Sequence, residues 1–257
     1  MDYFNGTWIV VGIDGTGSEE WRRNLPGGRS HIYKFVQDFG KPIDPKFVKV
    51  VFFNGPKEEI AGADSGIIKQ VALSFIINMY MELISQQKIK SIGYYNSSTH
   101  NPYSEYVRIV LVGHSRGGAI VLDIARDIAI HIKTPVYFMG LFDAVDMSFW
   151  IDGGNVENTK FAYHALRGNL LSRKSWGNVG LKGLPAENLK SFFTSHGGIG
   201  GSPELHPEML PITKRLTSDL SCSVDTFGKS MGEYCIEESE NSYAWIIQKA
   251  RSHHLPI

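Results

Sequence analysis

The chain has 257 residues, 42% of them hydrophobic, with 26 basic residues against 26 acidic ones. That composition supplies a globular core, and the balance of charge leaves no long-range field toward nucleic acid or an anionic membrane. Only Cys222 and Cys235 carry thiols, without CxxC spacing or histidine companions, which excludes zinc-ribbon and thioredoxin-type chemistry.

Met1 to Gly6 has no basic segment ahead of an apolar one, so neither a secretory signal nor a transmembrane segment is expected. The expected location is the cytoplasm, or outside it by a route needing no cleaved signal. Residues 8–13 form a short apolar run stopped by Asp14-Gly15-Thr16-Gly17, the pattern of a buried strand and a tight turn. A helix is expected over 30–39 and a second strand over 48–53, stopped by Asn54-Gly55-Pro56. Over 67–83, Ile68, Val71, Ala72, Phe75, Ile76, Met79 and Leu83 recur at helical spacing and predict a core-facing helix. Residues 93–104 are polar and aromatic and read as a loop. A third strand is expected over 107–112, a helix over 119–129 and a fourth strand over 134–142. Pro135 stands at that strand's entrance, where a missing N–H matters least. Beyond Ser148 the pattern weakens, and 148–189 reads as an irregular cap insertion; 242–251 predicts a last helix. Strands alternating with helices indicate an α/β fold with a mostly parallel sheet covered on both faces, here as one domain over 1–257.

Gly113-His114-Ser115-Arg116-Gly117 fits Gly-x-Ser-x-Gly, with an apolar strand entering and an amphipathic helix leaving. That context is what a nucleophile elbow requires. The serine sits on a strained turn, so Gly113 and Gly117 make room, and Gly118 lets the helix approach the sheet. An elbow serine needs a carboxylate and then a histidine later in the chain. His131, His253 and His254 lie at helix or chain ends. His164, His206 and His196 remain, the last in the glycine-rich loop after Phe192-Phe193. Asp143, at a strand's carboxyl end, leads the candidate acids, ahead of Asp146, with Asp152 and Asp225 farther away. One oxyanion donor would be the N–H of Arg116 and a second that of Gly15 or Thr16. The Asp14–Gly17 turn matches neither GxGxxG nor GxxxxGK[ST], so no nucleotide cofactor is expected.

These segments together resemble the α/β hydrolases of the type VI secretion phospholipase-effector kind. The resemblance rests on Ile13-Asp14-Gly15-Thr16, the Gly-x-Ser-Arg-Gly elbow, Phe142-Asp143-Ala144, His164-Ala165-Leu166 and His196-Gly197-Gly198-Ile199-Gly200-Gly201. It implies an α/β-hydrolase fold, in which 148–189 would be the irregular cap. It also implies Ser115, Asp143 and His196 as a catalytic triad, with His164 a landmark that is not the base. The chain departs from the family at Gly198, where Asp is usual, and at Ser202-Pro203, where Gly-Tyr is usual.

The expected activity is hydrolysis of carboxylic esters by a lipase or phospholipase, without metal or organic cofactor. A soluble small-ester or acyl-glycan esterase is one alternative, and a non-catalytic binding protein on the same scaffold is another. Phe149, Trp150 and Phe193 are expected at the substrate because they flank the acid and the base in sequence. Expected partners are the ester or lipid, transient contact with a membrane surface, and an immunity protein if the chain is a secreted toxin. Cys222 and Cys235 are left as reduced thiols or one disulfide.

Overall fold

The computed structural model describes residues 6–18, 30–41, 44–57, 63–90, 106–145, 156, 158–168, 179–202 and 231–257. Its strands are β1 (Thr7–Ile13), β2 (Val48–Phe53), β3 (Val107–His114), β4 (Val136–Phe142), β5 (Thr159–Arg167) and β6 (Leu189–Phe192). They form a six-stranded sheet in the order β2-β1-β3-β4-β5-β6, and every neighbouring pair is parallel. Parallel neighbours need a crossover, which here is helical wherever the connecting residues are described as regular structure. The helices are α1 (His31–Asp38), α2 (Ala63–Lys90), α3 (Arg116–His131), the single turn α4 (His196–Ile199) and α5 (Met231–Ser252).

Alternation along the strands divides the core into two layers. Ile9, Val11, Ile109, Leu111 and Met139 meet α2 and α3 through Ala72, Ile76, Tyr80, Ile120, Ile124 and Ile128. On the other face Trp8, Val10, Val110, Val112 and Phe138 meet α1 and α5 through Ile32, Phe35, Val36, Trp245 and Ile246. Both faces of the central strands are therefore covered, which is why β1 and β3 read as nearly unbroken apolar runs.

The expected cap region needs correction. Residues 159–167, inside the segment read as an insertion, form β5, paired with both β4 and β6. Lys160, His164 and Arg167 interrupt its apolar run and hide it from a reading by hydrophobicity. Helix α2 is also longer than expected, and its Asp64–Gln86 stretch, with mean hydropathy 1.5, is long and apolar enough to cross a membrane by length and composition. In the fold its Ala72, Ile76, Tyr80 and Ile84 seam is buried against the sheet, and the Tyr80 hydroxyl lies 2.7 Å from that of Thr134. Val71, expected on the core face, points to solvent because it lies about a third of a turn off that seam. Helix α5 starts well before residue 242, and Cys235 is buried within it. Cys222, and with it the disulfide question, lies outside the described residues, as does the expected loop over 93–104.

Candidate active site

Sheets of this kind present side chains for chemistry at the carboxyl ends of their strands. Here those ends carry Asp14 and Gly15 after β1, Ser115 after β3, Asp143 after β4, Arg167 closing β5, and His196 shortly after β6.

Strand β3 turns into α3 at a single residue. Ser115 has φ 55° and ψ −127°, in the left-handed half of backbone space that L side chains seldom occupy. Such a turn leaves no room beside it. A Cβ on Gly117 would stand 2.2 Å from the Ile13 carbonyl oxygen, and one on Gly113 would stand 2.5 Å from that of Gly117. Both obstacles are backbone and cannot yield. Gly118 faces Ala144, so α3 starts in contact with the end of β4. Backbone bonds clamp the turn: Ser115 N–H donates to Phe142 O at 3.1 Å, and Ser115 O accepts from Val145 N–H at 3.1 Å.

Three side chains from separate strand ends then meet. The Ser115 hydroxyl lies 2.8 Å from His196 Nε2, and His196 Nδ1 lies 2.6 Å from Asp143 Oδ2. His196 opens α4, whose N-cap Ser195 accepts from Gly198 N–H at 2.9 Å. The turn is pinned from three elements. His114 Nε2 bonds His196 O at 3.0 Å, His31 Nδ1 bonds Ile199 O at 2.9 Å, and Ser239 Oγ donates to Gly198 O at 2.6 Å. The histidine read as standing in a glycine-rich loop thus belongs to a helical turn held from β3, α1 and α5.

Asp143 is fully buried, with φ 45°. Burial pushes its carboxyl up, but the His196 hydrogen bond and the charges of His196, Arg167 and His164 override this and hold it well below the usual carboxylate range. Burial pushes the His196 imidazole down to about 4; the Asp143 bond and charge oppose that shift, and His114 and Arg167 add to it. His164 is also driven down to about 4 by burial, and its Nε2 accepts the Ala144 N–H at 2.9 Å. That bond fixes His164 as a neutral acceptor for the backbone beside the acid.

Histidines buried in the neutral form link folding to pH. His31, His164 and His196 have folded values below their unfolded 6.5, so the stability they contribute is complete above pH 6.5 and lost as pH falls toward the folded values. His164 and His196 are each expected to remove up to about 1.4 kcal/mol per pH unit between pH 6.5 and about 4. Thermal melts at pH 7.5, 6 and 5 should show Tm falling at each step; a flat Tm over that range would contradict the neutral, buried assignment.

Neither a protein-family model nor a curated protein matches the chain. Among solved structures, an uncharacterized protein from Pseudomonas aeruginosa matches over 95% of this chain and 51% of its own, at TM-score 0.51 and 12% identity. The Tle1 effector bound to the VgrG spike from the type 6 secretion system matches over 76% of this chain and 51% of its own, at TM-score 0.41 and 15% identity. The chain spans about half the length of these two proteins. Strand order, parallel pairing and the strained serine turn decide the architecture. The fold is that of the α/β hydrolases.

Within this α/β-hydrolase fold, Ser115, Asp143 and His196 are brought together. Arg116 is the first residue of α3, directly after the serine. The Gly15 N–H donates to the Asp14 carboxylate at 3.0 Å, and a Cβ on Gly15 would stand 3.0 Å from that of Ser115, so the turn after β1 packs directly against the serine. Phe193 is half-buried, with its N–H on Glu238 Oε2 at 3.0 Å. Phe149, Trp150, Asp146, Asp152, Asp225 and His206 lie outside the described residues. His253 is remote from the serine, stacked on Phe161 and 2.6 Å from the Tyr163 hydroxyl. Arg167 does not stand out in the sequence, yet its Nη1 donates to Asp143 Oδ2. The available signal is an arginine ending a strand otherwise read as irregular.

Proposed function

We propose that this chain hydrolyses carboxylic esters through an acyl-enzyme on Ser115, with lipid esters as its substrate class. The observation carrying this reading is the continuous hydrogen-bonded line from Ser115 Oγ through His196 to Asp143 Oδ2, set on a strained elbow. Ser115 Oγ attacks the ester carbonyl carbon while His196 Nε2 takes its proton. Asp143 keeps the imidazole proton on Nδ1 and stabilises the imidazolium that forms. The N–H groups of Arg116 and of Gly15 or Thr16 receive the oxyanion, aided by the partial positive charge at the start of α3. The alcohol leaves with the proton from His196, and a water deprotonated by the same imidazole frees the acid.

The lipid preference rests on the family resemblance and on the aromatics Phe149, Trp150 and Phe193 flanking acid and base in sequence. Contact with a membrane surface, and an immunity partner if the chain acts as a toxin, belong to the same proposal. Its test is a series of p-nitrophenyl esters from acetyl to decanoyl, then phospholipid vesicles with products read by mass spectrometry. Each methylene bound in an apolar groove contributes about 0.8 kcal/mol, so kcat/KM should rise about fourfold per methylene until the groove is filled. Polar substitution of Phe149 and Trp150 should flatten that rise. A steady preference for acetyl esters with no release of fatty acid from vesicles would leave a small-ester hydrolase.

A further inference from the structure

Asp143 is buried with its charge, a placement that costs several kcal/mol unless the carboxylate is fully partnered. Arg167 partners it twice. Its backbone N–H donates to Oδ1 at 3.3 Å, and its Nη1 donates to Oδ2, the oxygen that also receives His196 Nδ1. The guanidinium is itself buried, and the same Nη1 lies 3.3 Å from His196 Nδ1. A buried cation thus stands against both the acid and the imidazole, at the end of the strand next to the acid's own.

We propose that Arg167 is a positioning residue of this site: it grips both oxygens of Asp143 and sets the pH at which His196 becomes available as a base. The inference rests on the triad reading above. In a Ser-His-Asp arrangement the acid's charge stabilises imidazolium. Here part of that charge is neutralised by a guanidinium that also repels a proton on the imidazole. The base therefore stays unprotonated at lower pH than an uncompensated Asp143 would allow, at the cost of weaker imidazolium stabilisation.

Other titratable groups lie on the elements packed around the turn that carries the imidazole. From the end of β3 comes His114, its ring 4.9 Å from that of His196, with Asp14 of the β1 turn 3.8 Å from its Nδ1. From β5 comes His164, packed at the acid. From α1 comes His31, its Nε2 3.8 Å from Glu240 Oε1 of α5, and Glu238 of α5 holds the Phe193 N–H. Among these, Arg167 is the cation that touches both Asp143 and His196.

The test follows the His196 Cε1–H signal by NMR from pH 3.5 to 8 in the wild-type protein, Arg167→Gln and Arg167→Lys. In parallel, the rate of Ser115 labelling by a fluorophosphonate is read over the same range. Arg167→Gln should move the His196 midpoint, and the acid limb of labelling, upward by about one pH unit. Labelling at pH 5 relative to pH 8 should then fall up to roughly tenfold against wild type. Arg167→Lys, which keeps the cation, should hold the midpoint near the wild-type value. An unchanged midpoint in Arg167→Gln, or equal shifts in both variants, overturns the proposal, because a purely structural role lowers rates without moving the midpoint. Should Arg167→Gln not fold, Arg167→Met, an uncharged side chain of similar length, takes its place: an upward shift of the His196 midpoint supports the assignment and an unchanged midpoint overturns it. Absence of Ser115 labelling in wild type at every pH sinks the hydrolase reading, while the NMR midpoints still judge Arg167.

Discussion

Ser115→Ala is expected to lower ester turnover by about 10⁶-fold and to abolish covalent labelling by a fluorophosphonate. The substitution removes one oxygen, the atom 2.8 Å from His196 Nε2. It leaves the elbow in place, since the turn is held by backbone bonds to Phe142 and Val145 and by close contact around Gly113 and Gly117. Alanine suffers the same positive φ as serine, so Tm should change little. Residual turnover, if measurable, would come from substrate binding and the oxyanion donors alone. Intact-protein mass spectrometry after labelling, with peptide mapping, makes the check. A label that persists on another serine would move the nucleophile and overturn the central assignment.

His196→Ala should cost about as much as loss of the serine, because the hydroxyl is a poor nucleophile without a base. The informative comparison is His164→Ala. His164 sits on β5, two strands from the β3 that carries the serine, with its Nε2 taken by the Ala144 N–H and its ring fully buried. Removing it orphans a buried donor and opens a cavity, which together cost about 3 kcal/mol of stability. Activity per folded molecule should fall far less than in His196→Ala. Single-turnover rates and thermal melts on both variants separate the two roles. A well-folded His164→Ala protein that is as inactive as His196→Ala would mean that the base has been misassigned.

Elements whose burial depends on bulk are legible in the sequence. Strands β1, β3 and β4 are apolar along most of their length because both faces are covered, and the elbow glycines announce the turn between β3 and α3. Strand β6, four residues long, and the single turn α4 are too short to leave a pattern, and two longer elements escape for a shared reason. Strand β5 carries Lys160, His164 and Arg167, the last two spent on Ala144 and Asp143 rather than on apolar packing. The first half of α5 buries Cys235, Ser239 and Ser242, a seam of small residues at helical spacing that a scale of hydrophobicity does not register. Their worth lies in close approach and hydrogen bonding, as in the Ser239 bond to Gly198. Gly198 itself, where the resembling family has Asp, has no space for a side chain: a Cβ there would meet Thr194 Oγ1 at 2.0 Å.

By itself the sequence determined the α/β class, the elbow at Ser115 and short candidate sets for its partners, because periodicity and turn chemistry are local. It could rank Asp143 above Asp146, but could not bring either to a histidine. Tertiary structure decided that Asp143 and His196, separated along the chain by β5 and β6, converge on Ser115, and that Gly15 spends its N–H on Asp14. It also placed Arg167 against the acid. Such contacts follow from the register of parallel strands, whose carboxyl ends gather residues distant in sequence, and register is set by packing across the whole sheet rather than by any one segment.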